Sequence, residues 1–274
     1  MALVFNVINT LFSILFYPFD NLDPAWGMIW VSSLAGIVML IVFRFTSNQE
    51  GIKKSKAKVS AYILEMRLFN HDLGKMLAAL GKTLAANILY LRYMIVPIIV
   101  IVIPVIIILI EVSYRYEHRP LRQDEHVIVK AVLKPLFPVV ETHVSLQVPE
   151  NIKIETPALR IKSSNEVDWR ISARKRGVYQ LQFLVNGKAF EKTLHVDNEL
   201  TALSTKRIGS SFYAFLLNHS ETELSNNSPF AYLQIMYPER NLSIMGVKLH
   251  WIVWFFVFSV IFGFAFKGVF KVEL

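Results

Sequence analysis

The sequence predicts a membrane protein with a three-span α-helical core, a cytoplasmic helical hairpin and an exoplasmic, all-β, sandwich-like domain. Three observations predict this fold class: long uncharged apolar blocks, an uneven distribution of basic residues between them, and runs of alternating apolar residues in the second half of the chain. The chain has 274 residues, is 54% hydrophobic and contains no cysteine, which excludes disulfides and thiolate metal sites. Its net charge of +8 follows the membrane pattern described below, so no specific nucleic-acid partner is expected.

Three uncharged apolar blocks predict the spanning helices: 27–43, 93–110 and 251–266. A span needs about 20 mostly apolar residues, because the hydrocarbon core is about 30 Å thick and a helix rises about 1.5 Å per residue. Each block reaches this length when its flanks are added, and a buried core helix of a soluble protein is rarely uncharged for so long. The first two spans are therefore expected within 23–112, and the third span with a short tail within 247–274.

The N-terminal segment 1–22 is apolar but shorter, and it carries several polar residues. Phe5, Ile8, Phe12 and Leu15 are three or four positions apart, which places them near one face of a helix. This spacing predicts an amphipathic helix lying in the membrane interface. A fourth span remains an alternative, whereas a signal peptide is disfavoured because the segment has no basic start and no small-residue cleavage site.

Basic residues predict the orientation of the chain. Residues 44–92 contain nine Lys and Arg against three acidic residues, whereas residues 1–26 contain no basic side chain. Because basic flanks stay on the cytoplasmic side, 44–92 should be cytoplasmic and the N-terminus outside. The third span then returns the chain to the cytoplasm, where Lys267 and Lys271 follow it. We therefore expect a multi-pass protein of the cell inner (cytoplasmic) membrane.

Residues 50–91 show apolar residues at helical spacing in two arms, a pattern typical of a helical hairpin or short coiled coil. Asn70-His71-Asp72 separates the arms, and Asp72 is a suitable N-cap for the second. Four lysines at the start of the first arm are expected to contact anionic lipid, or to form a docking surface for a ribosome, a nascent chain or another acidic partner: Lys53, Lys54, Lys56 and Lys58.

Residues 113–246 predict the exoplasmic β domain. Apolar residues alternate with polar ones in 144–148, 167–173 and 179–185, and Asn186-Gly187 follows the third run. Asn-Gly between such runs indicates a hairpin with a type I′ turn. Residues 230–236 are interpreted either as a strand or as a segment resting on the membrane. A small β domain of this kind more often binds or scaffolds than catalyses.

Motifs for chemistry are absent from the sequence. The chain has no GxGxxG, no Walker-type loop, no HExxH and no GxSxG, and its seven histidines are scattered. The sequence therefore predicts no catalytic residues, no metal site, no cofactor and no enzymatic activity.

The stretches AWGMIW (Ala25 to Trp30) and LIVFRFTSNQ (Leu40 to Gln49) resemble the entry and exit of the first core span of the YidC/Oxa/Alb insertase superfamily. The order of parts also resembles this family: an amphipathic helix, a span, a cytoplasmic hairpin and two further spans. The chain departs from the family in two ways. Met39 stands where the family typically has a basic residue in its groove, and residues 113–246 stand where the family has a short link.

The resemblance implies an insertase or chaperone that helps client membrane proteins enter the bilayer through a polar groove, in contact with membrane lipids. The polar and helix-bending residues available for such a groove on the first two spans are Ser32, Ser33, Arg44, Thr46, Pro97 and Pro104. An alternative is a structural or adaptor subunit of a membrane or envelope complex that binds a partner through its β domain. A transport component is disfavoured, because the three blocks contain no ionisable residue.

Overall fold

The computed structural model describes residues 2–19, 22–209 and 221–272, apart from the side chains of residues 2–6 and 9. The chain divides into two compact units. Met1–Gly27 and Ile110–Trp251 form the first, which contains the β domain and the N-terminal helix, and Met28–Leu109 and Ile252–Leu274 form the second, which is helical. The predicted combination of a helical core and a β domain is confirmed at this level.

Five α-helices are described, together with a 3-10 turn at Tyr17–Phe19: α1 Ala2–Phe16, α2 Pro24–Thr46, α3 Gln49–Leu68, α4 Leu73–Tyr116 and α5 Trp251–Phe266. Two of them, α2 and α4, are long and apolar enough to cross a membrane. At 16 residues, α5 has a length of about 24 Å, which is shorter than the roughly 30 Å hydrocarbon core. The third predicted span is therefore present as an apolar helix, but this helix alone, without the flanking residues counted in the prediction, is shorter than the hydrocarbon core.

Helix α4 differs from the expected arrangement in its continuity. Its 44 residues join the second hairpin arm and the second apolar block in one helix, which runs through Pro97 and Pro104. Each proline removes one N–H, which leaves the carbonyls of Tyr93 and Val100 without their helical donors. Apolar helices in membranes tolerate such losses where neighbouring helices, hydroxyl side chains, water or local 3-10 geometry satisfy the freed carbonyls.

The predicted helical hairpin is confirmed as α3, a turn at residues 69–72 and the start of α4. The Asp72 carboxylate accepts a hydrogen bond from the N–H of Lys75 at 3.2 Å, so Asp72 caps α4 as expected. The two arms are also linked by an ion pair, in which Lys82 Nζ lies 2.9 Å from Glu65 Oε1.

The β domain contains eleven described strands: β1 His126–Leu133, β2 Val144–Gln147, β3 Ile152–Ile154, β4 Leu159–Ile161, β5 Glu166–Ala173, β6 Gly177–Val185, β7 Lys188–Val196, β8 Lys206–Ile208, β9 Phe230–Ile235, β10 Leu242–Ile244 and β11 Val247–Leu249. A six-stranded antiparallel sheet has the order β3-β5-β1-β9-β8, with β4 also paired to β5. A three-stranded sheet has the order β2-β6-β7, and β10 and β11 form a separate pair. The segment 230–236 is thus a strand, paired with β1 and β8.

The two larger sheets share one apolar core, as a sandwich does. Trp169 of β5 meets Phe183 of β6 edge to face at 5.8 Å between ring centroids, and Phe183 meets Phe230 of β9 in the same way at 6.1 Å. The predicted turn between β6 and β7 is confirmed, because Asn186 and Gly187 have φ values of 50° and 76°, the positive values that a type I′ turn needs.

A buried ion pair lies at the edge of this core. The fully buried Lys192 of β7 donates to Glu221 Oε2 at 2.6 Å and to the Ser204 carbonyl at 2.7 Å. Burial lowers the pKa of Lys192, and the carboxylate of Glu221 opposes this shift. Glu221 also accepts from the N–H of Thr193 at 2.8 Å, so the pair ties the segment after residue 220 to β7.

Helix α1 packs against the end of α4 within the first unit. Phe16 is buried, with its ring 6.0 Å from that of Tyr116, and the guanidinium of Arg115 lies 4.8 Å from the centre of the Phe16 ring. Arg115 also donates to Ser13 Oγ at 3.2 Å. The predicted N-terminal helix is therefore present. Its position in a membrane interface stays a prediction.

Candidate functional site

Small residues bring α2 and α5 together in the helical unit. Ser32 and Gly36 are four positions apart on α2, and Ser259 and Gly263 have the same spacing on α5. A Cβ atom at Gly36 would lie 2.5 Å from the Ser259 carbonyl oxygen and 3.2 Å from the Gly263 nitrogen. The two backbones are therefore in direct contact at this point. Paired small residues four apart are typical of helices that pack inside membranes, where close approach replaces the hydrophobic driving force.

An apolar crevice of about 350 Å³ lies beside this contact, among α2, α4 and α5. This volume is near the lower end of the range of ligand pockets, which is about 300–1,000 Å³. The hydroxyl of Ser259, the one polar side chain among the described lining residues, donates to the Phe256 carbonyl at 3.1 Å. The lining residues are Gly36, Met39, Leu40, Phe43, Ile101, Val105, Phe256, Ser259, Val260, Gly263 and Phe264.

The six residues predicted to form a polar groove are not among those that line this crevice. Ser32 is fully buried and donates to the sulfur of Met28 at 3.6 Å, while Thr46 donates to the Val42 carbonyl at 2.7 Å. Hydroxyls within an apolar helix satisfy themselves on the preceding turn, so they do not have to gather around water. Of the other four, Arg44 is exposed, Pro97 is buried, and Ser33 and Pro104 are half-buried.

Helices α2, α3 and α4 approach one another closely where α2 ends and α3 begins. Asn48 caps α3 by accepting from the N–H of Gly51 at 2.9 Å. A Cβ at Gly51 would lie 2.9 Å from the Tyr93 ring of α4, so α3 and α4 also approach closely here. Around this point an apolar cluster is buried that includes the chain's last described residue: Leu40, Phe43, Ile52 and Val272.

The four lysines that begin α3 are all exposed, as a lipid or partner contact requires. Lys54 pairs with Glu50 at 3.3 Å on the helix surface. A surface pair of this kind contributes little to stability, about 0–1 kcal/mol. The group as a whole therefore remains a basic surface next to the α2–α3 junction: Lys53, Lys54, Lys56 and Lys58.

The crevice was not predicted, although the sequence contained a signal for it. Two serine–glycine pairs at a spacing of four, each inside an uncharged apolar block, are a pattern that favours helix contacts in membranes. The hydroxyls of Ser32 and Ser33 were interpreted as groove polarity instead. The partner of each pair, more than 200 residues away along the chain, could not be identified without the fold.

No family of known proteins matches the sequence, and a search of curated proteins finds no significantly similar chain. Within the described residues, no group of three or more His, Cys, Asp or Glu is placed to hold a metal ion. What the crevice can do chemically follows from its lining: it can receive an apolar side chain or an acyl chain, by contact alone.

Proposed function

We propose that this protein is an insertase or chaperone of the YidC/Oxa/Alb type, which receives an apolar segment of a client membrane protein in the crevice among α2, α4 and α5. The apolar lining contributed by three helices is the observation that carries the proposal. Such a surface lets a client side chain leave water before the client has found its own helix partners. Burial in it stabilises the bound segment by about 2.5 kcal/mol for each 100 Å² of apolar area.

The proposed mechanism differs from that of a hydrated groove. In a hydrated groove, polar groups inside the membrane lower the cost of bringing in a polar flank of the client. Here the hydroxyls of Ser32 and Thr46 on α2 and of Ser259 on α5 bond within their own helices, and the crevice offers apolar contact. The basic surface at the start of α3 would hold acidic client flanks or anionic headgroups at the membrane surface. We therefore expect selectivity for the apolar part of a client.

Membrane orientation is the second part of the proposal. The excess of basic residues in 44–92 supports a cytoplasmic hairpin, with the β domain on the opposite side. Single cysteines test it on this cysteine-free chain. Ser55 is buried, so Ser60 is the better position for labelling the hairpin, and Ser164 is exposed in the β domain. An impermeant thiol reagent added outside intact cells should label Ser164→Cys and not Ser60→Cys, and the opposite pattern would invert the topology.

A matched pair on α5 tests the proposed activity. Val260 and Ile261 are adjacent and are each 53% exposed, but only Val260 lines the crevice. Tryptophan at residue 260 would fill the crevice, whereas tryptophan at 261 adds the same ring elsewhere on the helix. The purified chain, reconstituted in liposomes, should raise insertion of a short single-span client above protein-free liposomes. We expect Val260→Trp to remove most of that increase and Ile261→Trp to keep it.

The outcomes separate the two functions predicted from the sequence. An adaptor that uses its helices only as an anchor would give no insertion above protein-free liposomes, which would refute the insertase proposal. Equal insertion by both tryptophan variants and the unmodified protein would retain an insertase but reject the crevice as its client site. Both variants must first be shown to fold as well as the unmodified protein, by thermal unfolding in detergent.

A further inference from the structure

We infer that two copies of this protein pair through a leucine stripe on the first half of α4, as a parallel two-stranded coiled coil. The stripe consists of exposed apolar side chains with heptad spacing, and the inference rests on the proposed membrane location of the chain. Leu77, Leu84 and Leu91 are seven residues apart and are 60%, 56% and 55% exposed. Leu73 and Leu80 occupy the second core position of the same heptads and are exposed too.

The stripe is separate from the face of α4 that is already covered. Ala79, Thr83 and Ala86 are buried, and they lie at other heptad positions than the leucines. The packing of the described residues thus uses a face of this arm lined by alanine and threonine, and leaves the leucine face open. Leucines of this kind are rarely left exposed in a row, because a contiguous apolar patch of several hundred Å² usually marks an interface.

Charge and polarity favour a second copy as the occupant. Lys75 and Lys82 lie at the heptad position opposite the stripe, so two identical arms can face each other without repulsion. Asn87 is exposed at the core position that follows Leu80 by one heptad. An asparagine in an otherwise apolar coiled-coil core can pair with the same residue of the other chain only when the two arms are in register, so it selects that alignment at a cost in stability.

The membrane supplies the direction of pairing. Because α4 is one unbroken helix, the arm 73–92 continues from the apolar block for about 30 Å, which directs it away from the bilayer surface. Two copies in one membrane have their arms pointing the same way, and so can pair only in parallel. The five leucines of the stripe and the flanking Ile88 would bury roughly 600 Å² on each copy, or about 1,200 Å² in total, the lower end of stable interfaces.

Cysteine crosslinking in the membrane tests this inference. Leu84 and Ala85 are adjacent and exposed, and they point about 100° apart on the helix. With each residue replaced singly by cysteine in the full chain, mild oxidation of isolated membranes should link most of Leu84→Cys into a dimer and leave Ala85→Cys largely monomeric. Asn87→Cys should crosslink as Leu84→Cys does, since both are core positions.

A charge test gives the second measurement. The double variant Leu77→Glu, Leu84→Glu should be monomeric by mass measurement in mild detergent, whereas Ala78→Glu, Ala85→Glu should remain dimeric like the unmodified protein. Equal crosslinking from residues 84 and 85, no crosslinking from either, or adducts with a different protein would each overturn the inference. The readout is independent of insertion activity, so a protein that fails the liposome assay can still show the predicted dimer.

Discussion

A methyl group at Gly36 is the smallest change that tests the contact between α2 and α5. The added Cβ of Gly36→Ala would lie 2.5 Å from the Ser259 carbonyl oxygen and 3.3 Å from the carbonyl carbon. Both atoms belong to the backbone, so no side chain can rotate away. The helices would have to separate by roughly 1 Å to reach an ordinary contact distance.

The expected cost follows from overpacking, which destabilises by about 1–3 kcal/mol. Alanine is also a better helix former than glycine by up to about 1 kcal/mol, which opposes that cost. Gly263→Ala removes this ambiguity, because Gly263 is also within a helix but a Cβ there would have nothing within 4 Å. The helix-forming gain is common to both variants, so the difference between them isolates the clash.

Thermal unfolding in detergent, followed by tryptophan fluorescence, measures that difference. A change of 1 kcal/mol shifts Tm by about 2–4 °C in a protein of 150–250 residues, so a clash of about 1–3 kcal/mol should make Gly36→Ala melt roughly 2–12 °C below Gly263→Ala. Equal melting temperatures would show that the backbones of α2 and α5 are not in contact. The crevice among α2, α4 and α5 would then not have the shape described above.

Three further predictions concern the β domain, each measured by thermal or chemical unfolding of the full chain. Gly187→Val should destabilise the domain by about 1–2 kcal/mol, because a β-branched residue resists the positive φ of the turn; an unchanged Tm would count against the type I′ turn. Lys192→Met should cost about 3–5 kcal/mol by leaving Glu221 buried and unpaired, and adding Glu221→Leu should recover part of the loss; equal loss in the single and double variants would contradict the ion pair. Two hydrogen bonds from Arg119, at 2.6 and 2.7 Å, hold the pKa of Glu125 at about 2. Since the folded pKa lies below the usual value, this pair stabilises the domain above about pH 4.5, and the contribution is lost as pH falls through about 2; Arg119→Gln should reduce this acid dependence, and an identical acid profile would refute the assignment.

Elements that depend on local sequence could be predicted. The turn at Asn186-Gly187 needs only two residues with positive φ, and the cap at Asp72 needs only a carboxylate before an apolar run. The apolar blocks likewise indicated their helices without any knowledge of neighbours. In each case the residues that determine the structure are within a few positions of one another.

Features that depend on distant partners could not be predicted. Whether the Ser32 hydroxyl faces water or its own helix depends on what packs against it, and the sequence gives no register between α2 and α5. Lys192 follows the alternation of β7 inwards because Glu221, almost 30 residues later, lies within 2.6 Å of it. Helix α4 continues through Pro97 and Pro104. Whether a helix does so depends on whether its surroundings offset the two lost backbone hydrogen bonds, and the sequence pattern alone does not decide this.

Crosslinking from the crevice to a client is the most direct test of the proposed function. A photoreactive amino acid would be placed at Val260, which lines the crevice, or at Ile261, which does not. Ribosomes stalled with the first apolar segment of a membrane protein exposed would then be presented to membranes that contain each variant. The proposal predicts adducts with the nascent chain from residue 260 and few from 261, and fewer still when the apolar segment is replaced by a polar one. Equal adducts from both positions, or none from residue 260, would contradict it.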